Sequence, residues 1–337
     1  MKQSFIRGLV AATLAIGVSV GVADTAMAGA KKGHGGRGIP TQQINVQLWT
    51  FAEYIGFDTD AATIARTEEV FGKLRSFGYR NVEPFTLSGL TAQQYRDLLR
   101  KYGLKAPGRH VDVGDPTAPQ DVDQIIADNK VLGVKYFGSG ATPNDKLNTE
   151  ADWVAYAKYL DAVGAKARRA GQTYIVHNHN WEFEKVYNGR TAYEILQRNT
   201  SKKNVAFQLD LYWAVQAGQD PVALLKRYGK RIQYFHVKDR RQSDGRIEIV
   251  GRGHIDFPRI FAASKGQIRY YSVEHDPRFG DATFDPFEAA KVGFDYLDRV
   301  KFAGKGKPKA KGPKGKAHGH GHGHKGKGPK PGHKHHH

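Results

Sequence analysis

Residues 175–184 read IVHNHNWEFE, placing His177, His179, Glu182 and Glu184 around Trp181 in ten positions. Further acids and imidazoles finish other β-rich runs. Glu83 lies in NVEPF, His110 in GRHVD, Asp210 in QLDLYW, His236 and Lys238 in YFHVKD, and Glu274 with Asp276 in SVEHD. Carboxylates mixed with neutral imidazoles suit a divalent cation such as Mn²⁺, Fe²⁺, Co²⁺ or Zn²⁺, because the acids supply charge and the rings supply borderline nitrogen ligands. The same groups, taken in pairs, can serve as general acid and base. Any one of them alone is more simply a polar strand end; five strand ends showing acid or His together point to one site.

Such groups need elements that bring them together. Eight short β-rich runs between Ile44 and Phe302 alternate with amphipathic segments of helical spacing. In TIARTEEVFGKLRSFG the apolar stripe is Ile64, Val70, Phe71 and Leu74, and the closing Gly is a C-cap signal. TAQQYRDLLRKYG, DVDQIIADNKVLG, DWVAYAKYLDAVGAKARRAG and DPVALLKRYG follow the same pattern, and a last helix is expected over 286–300. This order and size predict an α/β fold, a (β/α)8 TIM barrel over 43–302, in which strand C-termini converge on one mouth. The alternative, a doubly wound open sheet, usually carries a Gly-rich phosphate turn after its first strand, and NVQLWTFAEYIGF has none. Side chains two apart share a face, so His177 with His179, and His236 with Lys238, are expected to point inward together.

The ends read differently. Lys2 and Arg7 precede an apolar run and an Ala26-Met27-Ala28 cleavage pattern, so 1–28 is expected to be a cleaved signal peptide, followed by a flexible linker over 29–42. This predicts a periplasmic or secreted protein with no membrane span after cleavage. There is no cysteine, so no disulfide stabilises it. Residues 303–337 hold ten Lys, eight His and no acid, and a segment of that composition is expected to be disordered. His318, His320, His322 and His324 alternate with Gly there; the tail is expected to bind metal ions weakly or to adhere to anionic envelope surfaces. Of the formal charge of +19, ten positive charges lie in the tail and a net four in residues 1–40, leaving about five on the barrel. The body is therefore not a strongly basic nucleic-acid binder.

The body resembles the xylose isomerase-like barrel enzymes, the sugar phosphate isomerases/epimerases. The resemblance rests on HNHNWEF, on QLDLYWAVQAGQDPVALLKRYGKRIQYFHVKD, on VGRGHIDF and on VEHD. It implies one divalent metal at the mouth, held by Asp210, His236, Glu274 and a carboxylate after the IVHNH run. In this chain His177 stands where that carboxylate is expected and Glu182 is the nearest acid, so Glu182 is the expected fourth ligand, with His177 or His179 beside the substrate as acid/base. The implied catalytic set is Glu182, His179, Glu274 and His177. The implied substrate contacts are Glu83, His110, Trp213, Lys238 and His254. Trp181 is expected to form a wall and Glu184 to be solvated. The expected chemistry is proton abstraction next to a carbonyl in a small carbohydrate, giving isomerisation, epimerisation or β-elimination. Two other classes compete: a nonenzymatic metal- or sugar-binding envelope protein, and an endonuclease IV-type phosphodiesterase. The phosphodiesterase needs further histidine ligands, one of them at the position where this chain has Trp213.

Overall fold

The computed structural model describes residues 38–277 and 285–302. The signal peptide, most of the linker and the basic tail expected from the sequence lie outside the described residues.

Seven parallel strands form the central sheet: β1 (Ile44–Val46), β2 (Gly108–His110), β3 (Tyr136–Gly138), β4 (Thr173–His177), β5 (Val205–Asp210), β6 (Ile232–Val237) and β7 (Tyr270–Val273). Their order is β1-β7-β6-β5-β4-β3-β2. Residues 81–83 occupy the gap between the two ends. Gln47 bridges Glu83 and Asn81 bridges Lys105, both in parallel, and Glu83 N–H donates to Val46 O at 2.8 Å. The sheet is thereby hydrogen-bonded into a TIM-barrel-like ring, as the alternation in the sequence predicts.

The helices form where the sequence carries their signals. Helix α1 (Ala61–Phe77) begins at Asp60, whose side chain accepts from Thr63 N, and ends at Gly78 in the left-handed region. Its buried face is Thr63, Thr67, Val70, Phe71 and Leu74, with Ile64 only half-buried. Val70, Phe71 and Leu74 are buried as expected; towards the N-terminus the face continues through Thr67 and Thr63 rather than Ile64, and Thr67 enters the core with its hydroxyl satisfied on Thr63 O at 2.8 Å. Helix α2 (Ala92–Lys101) and helix α4 (Glu150–Arg169) start with reciprocal capping boxes from Thr91 and Thr149. Helix α3 (Val122–Leu132) stops at left-handed Gly133. Helices α5 (Ala192–Asn199), α6 (Pro221–Tyr228), α7 (Phe257–Ala263) and α8 (Pro286–Arg299) complete the outer layer.

Most of the buried apolar residues lie in one large cluster that includes the inward faces of these helices. A second, small cluster of Ile175, Ala206 and Tyr234 comes from β4, β5 and β6. Two residues further along the same strands are His177, Gln208 and His236, all buried. Each strand therefore runs from an apolar residue to a polar one on the same face, and the polar layer marks the mouth.

Candidate active site

The polar layer is organised around Gln208 and His236. Gln208 Nε2 donates to Glu83 Oε1 at 2.8 Å, while its carbonyl oxygen lies 2.7 Å from His110 Nε2 and 3.1 Å from His177 Nδ1. The carbonyl can only accept, so both histidines turn an N–H toward it, leaving His177 Nε2 and His110 Nδ1 as lone-pair nitrogens. His236 is held from both sides, with Nε2 3.0 Å from Glu83 Oε2 and Nδ1 2.6 Å from Glu274 Oε2. Burial alone would discharge this ring, but Glu274 and Glu83 hold it protonated and push its pKa up to about 10. Glu83 in turn is held down at about 2: burial opposes this, and His236 overcomes it.

Lys238 occupies the centre. Its ammonium lies 2.8 Å from Asp276, 3.1 Å from Glu274 and 3.2 Å from Asp210. It also sits 5.7 Å from the face of Trp213. Buried as it is, the ammonium stays charged because three carboxylates surround it. Asp210 also shapes the backbone, since its Oδ1 accepts from Trp213 N at 2.8 Å and caps the turn Leu211–Gln216. Asp239, the acid next to Lys238, does not pair with it. Its oxygens accept from Gly251 N, Gly253 N and Ile255 N, tying the VGRGHIDF loop to the end of β6. A Cβ at Gly253 would stand 2.3 Å from Asp239 Oδ1, so that anchor requires glycine.

A cavity of about 280 Å³ opens onto this layer, with His110, His177, His179, Lys238, Glu274 and Asp276 in its wall. His179 stacks on Trp181, with ring centroids 4.1 Å apart and planes 7° apart. Its Nδ1 is buried without a hydrogen-bond partner, and burial followed by the Lys238 charge depresses its pKa to about 3. Burial, reinforced by the neighbouring His236, keeps His177 neutral as well.

Several expected residues lie elsewhere. The short helix Trp181–Glu184, entered through Asn180, turns Glu182 back, so that Oε2 accepts from His179 N at 2.7 Å and Oε1 from Thr142 Oγ1 at 2.5 Å. Glu182 is therefore not gathered with Asp210, His236 and Glu274 as the fourth ligand expected from the sequence. Its carboxyl, buried with no cation against it, is pushed up to about 7. Glu83 is fully buried behind His236 rather than at the cavity wall. His254 is exposed and turned onto Arg240 O, 2.7 Å away. Trp213 flanks Lys238 and His179 rather than lining the cavity. Trp181 does not line the cavity as expected but stands behind His179, on which it stacks, and Glu184 is exposed.

Gln208, Trp49, Phe85 and Asp112 join the site without a signal that singles them out in the sequence, and Asp276 gains a role that its strand-end position alone does not give. Gln208 is within reach of a spacing rule: in VAFQLD it stands two before Asp210 and therefore shares its face. Trp49 and Phe85 pack edge to face at 5.2 Å and supply the aromatic side of the cavity.

Ligand atoms from Asp210, His236 and Glu274 lie within 4.8 Å of one another, and so do those from His110, His177 and His236. The first set has the chemistry of a divalent-cation site. The charges agree: the buried carboxylates of Glu83, Asp210, Glu274 and Asp276 face the two cations Lys238 and His236. Burial, with the charge on Glu274, raises Asp276 to about 7 against the pull of Lys238.

A parallel α/β barrel with acids, imidazoles and a lysine gathered at its strand C-termini is a barrel with a candidate metal-binding mouth. The chain belongs to the xylose isomerase-like TIM barrel family, whose model matches residues 71–303. It is similar to inosose dehydratase from Lacticaseibacillus casei, with 30% identity over 174 residues, 44% of this chain and 55% of that protein. The Geobacillus kaustophilus inosose dehydratase is 31% identical over 176 residues, 45% of this chain and 54% of that one. The chain thus spans about half the length of the curated relatives it matches. A sugar phosphate isomerase/epimerase from Parabacteroides distasonis superposes with a TM-score of 0.64 at 21% identity, covering 77% of this chain and 98% of that one. An L-ribulose 3-epimerase gives 0.57 at 17%, covering 75% and 92%. At these identities the two structures speak for the fold alone.

Proposed function

We propose that this protein is a divalent-metal-dependent enzyme that moves a proton next to the carbonyl of a sugar, as an isomerase, an epimerase or, where a leaving group lies β to the carbanion, a lyase. The observation that carries the reading is the meeting of the Asp210, His236 and Glu274 donors in the layer beneath a cavity that Glu274, Lys238 and His177 line. The names of the similar proteins, inosose dehydratase and L-ribulose 3-epimerase, belong to the same range of chemistry.

Asp210, His236 and Glu274 would hold the cation, which when bound supplies Lewis acidity toward a carbonyl and its neighbouring hydroxyl. Glu83 would then act as the outer partner that fixes the His236 ring, through the 3.0 Å contact at Nε2. His177, kept neutral with its Nδ1–H on Gln208, presents Nε2 as the proton acceptor. Lys238 donates to the oxygen on which negative charge develops. His179, stacked on Trp181 and neutral at rest, would return a proton after taking one up from solvent. Return to the other face or to the adjacent carbon gives the epimer or the isomer, and loss of a protonated β-hydroxyl gives the dehydrated product.

The export signal read in residues 1–28 is part of the proposal. A protein outside the cytoplasm meets free or oxidised sugars and glycosides rather than sugar phosphates. The test is incubation of the metal-loaded protein with ketoses and oxidised glycosides in D₂O. Deuterium entering a carbon next to the carbonyl is the expected result; none across the panel, with metal bound, would overturn the reading.

A further inference from the structure

The cavity at the mouth adjoins a second one on the side of the loops after β2 and β3. It shares Asp112, Gly140 and Ala141 with this second cavity, of about 400 Å³. The inner one, at about 280 Å³, lies at the small end of ligand sites and suits a single ring. The two lie side by side along these shared residues, of which Gly140 and Ala141 are small. A Cβ at Gly140 would already stand 3.1 Å from His110 Nδ1, so a larger residue there would press on the imidazole.

The two compartments differ in chemistry. The inner one has Trp49 and Phe85 on one side and the acid, imidazole and ammonium groups on the other. The outer one is lined by polar groups, among them Ser139, Gln120, Asp115 and Lys146. Its rim is built rather than loose. Asp115 accepts from Thr117 N at 2.8 Å and Ala118 N at 3.0 Å, and it pairs with Lys146 at 2.9 Å. Asp112 accepts from Gly114 N at 2.9 Å and Ser139 Oγ at 3.3 Å. The Lys146–Asp115 pair cancels its own charge and Asp112 adds one negative charge, so the compartment disfavours an anionic group. A carboxylate and an amide at the wall match hydroxyl donors and acceptors.

We infer that the outer compartment is a subsite for a second, uncharged sugar ring, so that the substrate is a glycoside whose keto ring enters the inner cavity. The inference rests on the reading of the inner cavity given above and adds the size and class of the substrate.

The test compares a keto-hexose with the keto-disaccharide that carries the same ring, in wild type, Ala118→Trp and Gln120→Ala. Ala118 and Gln120 line the outer compartment and not the inner one, and both are exposed. Wild type should favour the disaccharide at least tenfold in kcat/KM. Ala118→Trp should abolish that preference through KM, Gln120→Ala should reduce it severalfold, and turnover of the keto-hexose should stay within twofold. Equal effects on both substrates, or no effect on either, would overturn the subsite. If neither substrate exchanges deuterium in wild type, the reading of the inner cavity fails instead. Calorimetry with cellobiose and glucose then decides the subsite by itself: tighter binding of cellobiose that Ala118→Trp removes supports it, and equal binding overturns it.

Discussion

Lys238 Nζ lies 3.1 Å from Glu274 Oε2, between that carboxylate and those of Asp210 and Asp276. The ammonium separates acids that would otherwise repel one another in a buried layer. It shares two of them, Asp210 and Glu274, with the candidate cation site. A metal ion bound there would act on the same carboxylates as the protein's own cation, and this coupling can be measured.

Lys238→Met leaves three buried carboxylates without their ammonium. The metal-free variant should lose about 3–5 kcal/mol of stability, the range for breaking a buried ion pair. Saturating Mn²⁺ or Co²⁺ should restore about 3 kcal/mol at a hundredfold excess over Kd. Urea unfolding of variant and wild type with and without metal checks both. The variant should bind metal more tightly and gain more from a fixed metal concentration than wild type does, and an equal gain would place the cation away from the Lys238 carboxylates.

Asp210→Asn keeps a capping side chain for the Trp213 N–H and removes one charge from the donor set. Metal affinity should fall more than about 100-fold, beyond the 10–100-fold expected for Glu83→Gln, the outer partner of His236. Metal content after dialysis and calorimetric titration give the two numbers. The order Asp210 above Glu83 is the point at risk.

Gln208→Leu removes the acceptor shared by His110 and His177 and the donor to Glu83. Leaving those buried groups unpaired should cost about 1–3 kcal/mol each. Deuterium exchange into substrate should fall with little change in KM, since the tautomer of His177 is then no longer fixed.

Glu182 is neutral when folded below its raised pKa of about 7 and ionises near 4.5 when unfolded. The folded state binds the extra proton between those values, so this group contributes stability at low pH that is lost as pH rises through 7. The change from 4.5 to about 7 corresponds to about 3 kcal/mol. Glu182→Gln should remove that decline: the difference in stability between variant and wild type should grow from pH 4.5 to 7 and then level off. A difference that does not vary with pH would show that Glu182 is not protonated in the folded protein.

Local signals carried most of the fold. Gly78 and Gly133 end their helices as the C-cap signals predict, and seven of the eight β-rich runs became strands of the ring while NVEPF joins it through two bridges. These signals act within a few residues, as do the capping boxes at Thr91 and Thr149. The site was legible as a set of strand ends, because period-two alternation fixes which side chains share the barrel interior. Asp210, His236, Glu274, Lys238, His110 and His177 met for that reason.

What the tertiary structure alone decided is which way the ends of those side chains turn. Glu182 and His177 are five residues apart, and no spacing rule says which one faces the centre; the helical turn after His179 sends Glu182 back to its own backbone. The partition of Glu83 behind His236, the central place of Lys238 and the bridging by Gln208 depend on contacts spanning up to 153 residues of chain. Sequence determined the residues available to the mouth, through local periodicity. Their division among cation, proton transfer and support was settled by packing across the barrel, where buried charge must find its counter-charge.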